Sequence, residues 1–411
     1  MAISKNFKIS QEIEFVIGDE ATVGAGTSST YHLLNAIAPP SINIGNVPLD
    51  VGSERTGKYF LDHNQSKQRL DNALWEISVQ VLATADAMTY SGKGLLGGQV
   101  YLSSSAYTQP NLDAGATVAN NSSQVILVKG AGYDFATPNN DLLFKGCILK
   151  SVEVAHSIDS NGGFPIMTLT WVTAYPVALS NIASAGSPTA HYSEVAQHFV
   201  DLDCVNGRWI GETAGSSNYD CRAYGYTLNV SRDIQRVGYD GSNNPLGYLQ
   251  VGNHSVEGSI TIKHDANQLN FDDYLRNNKI SGFKVSGTGY DVRLNGKMND
   301  CSVDTGSADM RATYSYTGTG NHRATGAVTV FANGPAGDNS DTWFTSSGHG
   351  LGVGQKVTIA GASEGTYNAD HIVTHIENDR FATAVNYVAE TYNSETWTLH
   401  SDSNNIVNID F

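Results

Sequence analysis

The sequence predicts a mainly β protein: two tandem β-sandwich or barrel domains, each with a flanking helix, followed by a small C-terminal β-domain. Three observations carry that prediction. The first is composition: 42 Gly and 20 Tyr stand among many Ser, Thr and Asn, and only 16% of the 411 residues are charged. That balance suits strands and turns better than a helical bundle. The second is period-2 alternation of apolar and polar residues, which recurs along the chain. The third is a strand written twice. NALWEISVQV (72–81) and NHSVEGSITI (253–262) place Asn, Glu and Ser at the same points, 181 positions apart.

In chain order, the candidate strands of the first half are FKISQEIEFVI, SINIGNVPLDV, LWEISVQVL, SQVILVKG, CILKSVEVAHSI and PIMTLTWVTAYPV. Those of the second half are AYGYTLNVSRDIQRVGY, SVEGSITIKHD, GFKVSG, YDVRLNGKMNDCSV and MRATYSYTG. Turn residues separate them, as in DSNGG (159–163) and DGSNNPLG (240–247). Helix signals are few. DANQLNFDDYLRNN (265–278) has Asp265 or Asn267 as a cap and an apolar face of Leu269, Phe271, Tyr274 and Leu275. STYHLLNAIA (29–38) is a second candidate, stopped by Pro39 and Pro40.

Small polar stretches mark the boundaries. ALSNIASAGSPTAHYSEVA (178–196) reads as a linker and YTGTGNHRATGA (316–327) as a second junction. The chain therefore divides into 1–180, 190–320 and 325–411. The first two segments read as copies. SINIGNVPLDVG parallels YTLNVSRDIQRVG, and FKGCILKSVEV parallels LNGKMNDCSVD when Gly146 meets Gly296 with a one-residue gap. TLTWVT and ATYSYTG then follow. The first copy carries an extra stretch at roughly 91–140. Two unrelated β-domains with ordinary alternation are the alternative.

The net charge is −16, from 40 acidic and 24 basic residues. This argues against a protein that grips nucleic acid through a basic patch. It is compatible with a wall past which DNA slides, because an acidic surface repels phosphate. MAISKNFKIS lacks the apolar core of a signal peptide, and no stretch approaches the ~20 apolar residues of a membrane span. Cys147, Cys204, Cys221 and Cys301 form no CxxC pair. Free thiols in a protein made in cytoplasm are expected, with Cys204–Cys221 as the one disulfide to consider.

No catalytic, cofactor-binding or metal-ligating residue is assigned, and the chain is expected not to be an enzyme. GHGLGVGQK (348–356) lacks the GxxxxGK[ST] spacing of a phosphate loop, and the following KVTIAG reads as a strand, so its glycines are turn residues. HIVTH (371–375) lacks the Glu of HExxH and alternates like a strand, which makes His371 and His375 surface residues. Glu76 and Glu257 occupy equivalent points of the two copies. Paired acids would suit a glycosidase. In separate copies they suit a ring-lining or inter-domain polar contact better. Asp272 and Asp273 complement a helix dipole. No GxSxG elbow or Cys–His pair is present. NSS at Asn121 reads as a polar loop.

FKGCILKSVEVAHSIDSNGGFPIMTLTWVT (144–173) and YGYTLNVSRDIQRVGYDG…GNHSVEGSITIKHD (224–265) resemble the tail tube protein, or major tail protein, of long-tailed bacteriophages. The resemblance covers most of residues 1–320. It implies small β-sandwich or barrel domains whose inner strands join into one barrel around a channel. It also implies stacked rings through which the genome leaves the capsid. The implied partners are the chain itself, tail terminator, tape measure and baseplate or tip proteins. DNA would pass through the lumen without specific binding, and no membrane is involved. The implied location is the virion tail, after assembly in the host cytoplasm. Single-domain relatives form rings of six, so two tandem domains imply three chains per pseudo-hexameric ring, with a ring of six full chains as the alternative. Residues 344–383 resemble small β-domains recurrent in phage virion proteins, through His349, Gly350, Leu351, Val357, Ile359, Gly361, Asn368 and Phe381. Such domains sit on the tail exterior. The extension SETWTLHSDSNNIVNIDF (394–411) either belongs to this domain or returns to the second tube domain as a strand. A virion decoration or host-adhesion protein is the alternative function, and a polysaccharide depolymerase the enzymatic one.

Overall fold

The structure, a computed structural model, describes residues 13–44, 49–51, 66–68, 74–84, 87, 100–102, 123–129, 141–157, 159, 164–180, 189–190, 206–209, 220–239, 245–263, 276, 280–287, 290–306, 310–319, 325–337, 339–391, 394–400 and 407–410. It is mainly β, with one large, mostly antiparallel sheet and a separate seven-stranded sheet. No helical element is present among the described residues. The helix expected over 265–278 lies outside them, Arg276 aside.

The helix expected over 29–38 is not formed. This stretch is extended, and His32–Leu33 pairs antiparallel with Val16 and Ile17. Leu33 and Tyr31 pack into one hydrophobic cluster, whereas Leu34 joins the main core. Neighbouring side chains leave in opposite directions, as a strand requires. The apolar spacing of this segment serves two cores rather than one helical face.

Within the large sheet, eight strands lie side by side. The order runs from Ser41–Ile44 through Trp75–Leu82, Ile166–Thr173 and Asp141–Ser157. It continues through Asp220–Tyr239, Pro245–Lys263 and Arg311–Gly318 to Tyr290–Asp304. The last four strands repeat the order of the first four. The register repeats as well. Ser41 and Asn43 face Ser78 and Glu76, while Thr227 and Asn229 face Ser259 and Glu257. SINI thus stands where TLNV stands in the other half. Leu169 and Thr170 face Val79 and Ser78, while Tyr314 and Ser315 face Ile260 and Ser259.

Even the irregularities correspond. The register between Ile166–Thr173 and Asp141–Ser157 slips at Lys150, so that Thr170 faces Ser151 but Trp171 faces Leu149. Between Arg311–Gly318 and Tyr290–Asp304 it slips at Asn299, so that Ser315 faces Asp300 but Tyr316 faces Met298. Each is a β-bulge, one extra residue that bends and twists its strand. The one-residue gap expected at Gly146 has its own structural cause. Along Ser123–Lys129 the register jumps from Gln124–Cys147 to Ile126–Phe144, whereas the matching pair Ile280–Gly287 and Tyr290–Asp304 is regular. Gly146 has φ 60°, which glycine adopts without strain.

This correspondence corrects the extra stretch placed at 91–140. Ser123–Lys129 lies on the Asp141 strand as Ile280–Gly287 lies on the Tyr290 strand, so it belongs to the shared plan. The additional residues lie before Ser123 and, in smaller number, between Lys129 and Asp141, where the second half has only 288–289 between its matching strands.

One core serves both halves. Ile77, Val79, Leu169, Trp171, Val152 and Val154 of the first half cluster with Leu228, Val230, Ile260, Phe283, Tyr314 and Tyr316 of the second. Each fully buried side chain of this size contributes about 1.5–3 kcal/mol relative to exposure. Volumes compensate between the copies. Where the first half has Ile77, the second has Gly258, whose missing Cβ leaves room for Leu294 and Phe283.

The seven-stranded sheet is built from strands between Thr325 and Leu399 around Phe344, Tyr367, Phe381 and Trp397. The final strand leaves it. Val407–Asp410 pairs antiparallel with Asp291–Leu294 and parallel with Val100–Leu102. The 394–411 extension is therefore divided: Thr396–Leu399 completes the small sheet, and Val407–Asp410 returns to the large one.

Candidate functional site

The eight-strand run has two unlike faces. Residues that face one another across an antiparallel pair project to the same side. One row reads Ser41, Ser78, Thr170, Ser151, Ser231 and Ser255. A second reads Gln80, Thr168, Glu153, Asn229, Glu257 and Thr317. Alternate positions on the same strands form the buried core, so the sheet is a polar wall with an apolar back.

Cross-strand hydroxyl pairs knit the wall: Thr227 to Ser259 at 2.8 Å, Thr261 to Thr313 at 2.9 Å and Thr170 to Ser78 at 3.3 Å. Lys150, the bulge residue, reaches Glu76 at 2.9 Å. Arg311 is held by Asp159 and lies over the Tyr224 ring at 4.2 Å. Across the seam, Glu153 of the first half and Asn229, Glu257 and Asn299 of the second line an open trough. Glu76 and Glu257 thus hold matching places on one wall, opposite Asn43 and Asn229. Each belongs to its own copy. The wall carries hydroxyls, amides and carboxylates together with cations: Lys150 and Arg311, each held by an acid, Lys263 opposite Arg311, and Lys297 opposite Thr317.

The seam between the halves is strand pairing. Gly225–Ser231 faces Ser151–Ser157 over seven residue pairs. Val152, Val154, Leu228 and Val230 are fully buried there. Arg232, beyond the seam's end, donates through Nε to the Leu149 carbonyl at 3.0 Å. Burial pushes its pKa down to about 10. The Tyr248 hydroxyl accepts the Ala174 N–H at 3.0 Å, a second tie between the halves.

The candidate motifs of the small sheet are parts of its scaffold. His349 is buried, its Nδ1 accepting the Leu351 N–H at 2.9 Å and its Nε2 meeting the Glu377 carbonyl at 2.8 Å. Gly350 and Gly354 have φ 66° and 93°, and the strand Lys356–Ala360 follows. Lys356 is buried against Asp370 at 3.1 Å. Leu351, Val357, Ile359 and Phe381 are core residues, and Asn368 clamps Ala362 through both its amide groups. His371 and His375 lie on the strand Asp370–Glu377. His371 is half-buried, with Nε2 at 3.0 Å from the Tyr367 carbonyl and its pKa lowered by burial, while His375 is exposed with its ring edge toward Trp343. Cys147 and Cys301 are free, whereas Cys204 lies outside the described residues. Asn121, Asp272 and Asp273 also lie outside them.

Sequence reasoning placed Glu76 and Glu257 as equivalents but missed Lys150 and Asn299. The sequence carried no signal for these two, because both copies have the same bulge and it leaves no mismatch between them. No family model matches this chain, and no curated protein aligns with it.

Proposed function

We propose that this chain is the tail tube protein of a long-tailed phage, and that three copies close a pseudo-hexameric ring around a channel for genome passage. The observation that carries this reading is the seam. Two halves of the same strand order and register are joined edge to edge, which makes one sheet with a polar wall and an apolar back. A sheet of this kind with open edges is a pairing hazard in a monomer, and closure removes it. Three chains of eight wall strands give about 24 strands; at about 4.8 Å per strand the circumference is ~115 Å and the backbone diameter ~37 Å. Strand tilt widens this further. Such a barrel admits a nucleic-acid duplex, and a net charge of −16 keeps the duplex from adhering. The seven-stranded domain sits on the exterior in this reading, and tail terminator, tape measure and baseplate or tip proteins cap or fill the tube.

Electron microscopy of the purified chain tests the proposal. The expected result is hollow cylinders with threefold symmetry and six similar inner densities per ring. A discrete oligomer without stacking supports a decoration or adhesion protein instead. A ring of six full chains removes the pseudo-hexamer.

A further inference from the structure

The two halves correspond strand for strand, so the internal seam is a template for a second one. At that seam, the 151–157 edge of the Asp141 strand meets the 225–231 edge of the Asp220 strand. The counterpart of the first edge is 300–304, which faces the Arg311 strand on one side. The counterpart of the second edge is Ser41–Ile44, which faces the Trp75 strand on one side. Among the described residues, neither has a strand on its other side.

Burial marks both edges as incomplete. Val154 is fully buried, and its counterpart Val303 is 39% exposed. Val152 is fully buried, and its counterpart Cys301 is only partly so. Leu228 is fully buried, whereas its counterpart Ile42 is partly buried against the core. Among the described residues, the apolar back therefore continues to each edge and stops without a covering strand. The polar wall does the same: Asn43 and Ser302 are exposed at the positions of Asn229 and Glu153.

We infer that Ser41–Ile44 of one chain pairs antiparallel with 300–304 of a second copy, in the register of the internal seam. Ile44 stands opposite Cys301, Asn43 opposite Ser302 and Ile42 opposite Val303. Wall and back then run unbroken from chain to chain. Because the two seams share one geometry, the step repeats without change from chain to chain. The inference deepens the ring reading above and rests on it for closure after three chains.

The test is disulfide trapping in the full chain, with Cys301→Ala to remove the neighbouring thiol. Asn43→Cys with Ser302→Cys should form interchain disulfides on mild oxidation, giving a ladder that ends at the trimer. Each single variant should give none beyond a dimer. Asn43→Cys with Asp300→Cys, or with Asp304→Cys, reports a register shifted by two residues; preferential trapping of either overturns the register. Assembled protein that traps no pair overturns the seam but leaves the tube reading standing. Covalent trimers that never stack leave the seam standing and overturn the tube. Protein that stays monomeric overturns both. Val303→Lys is a second probe at an exposed position. It should leave thermal unfolding of the monomer unchanged and abolish assembly.

Discussion

At the residue scale, the buried acid Glu20 shows how one side chain holds an irregularity in place. Its carboxylate accepts N–H groups from Gly24 at 3.0 Å, Gly26 at 2.8 Å and Gly146 at 3.0 Å. Gly146 is the extra residue of the first copy, so Glu20 ties down the bulge that its own copy alone contains. Glu20→Gln keeps the shape but removes the charge and puts a donor in place of one of the two oxygens that face N–H groups. It should cost about 1–3 kcal/mol in urea unfolding. Gly146→Ala should cost a similar amount, since a Cβ there lies 2.4 Å from the Tyr175 ring and φ is 60°. The buried tyrosines set the alkaline limit. Burial raises the pKa of Tyr226 and Tyr248 above the ordinary value. Above about pH 10 the unfolded chain releases these protons while the folded chain retains them, so rising pH favours unfolding. Each such tyrosine should remove about 1.4 kcal/mol per pH unit beyond that point. Unfolding curves between pH 9 and 11 should show the loss, and Tyr226→Phe should reduce the slope.

At the element scale, alternation made most strands legible, because a half-buried strand writes its two faces into its sequence. SINI, WEISVQVL, TLTWVT and SITI were all readable in this way. Three things were not. The 29–38 segment feeds Leu33 and Leu34 into different cores, and no local pattern separates that from a helical stripe. The bulges at Lys150 and Asn299 exist only relative to a partner strand. The partner of Val407–Asp410 lies over a hundred residues back, at Asp291–Leu294, and nothing within NIVNIDF specifies that distance. The bulge offers a sharp test. Lys150→Ala removes only a surface ion pair with Glu76 and should change stability by no more than about 1 kcal/mol. Deleting Lys150 instead leaves Thr170 opposite Ser151 and Trp171 opposite Leu149 in a regular ladder, and removes the local bend and extra twist of the bulge. The deletion variant should keep its strand content by circular dichroism but unfold at lower urea than Lys150→Ala, because the straightened strand fits the core less well.

At the scale of the whole molecule, the small sheet and the large one are linked by more than succession. Truncation at Gly326 would remove the seven-stranded domain together with Val407–Asp410, and so would uncover the Asp291–Leu294 edge. That variant should aggregate. Replacing 325–399 by a short flexible linker keeps the returning strand, and should give soluble protein that assembles into thinner tubes in electron micrographs. Equal behaviour of the two variants would show that the returning strand does not matter. The same strand also imposes a schedule. It follows the seven-stranded domain in the chain, so during synthesis the edge at Asp291–Leu294 waits while about 110 further residues are made, roughly 6–20 s at ordinary elongation rates. Throughout that interval the second half is exposed to incorrect edge pairing with neighbouring nascent chains. The seven-stranded domain is therefore also a delay, and translation speed across it sets how long that edge stays unpaired.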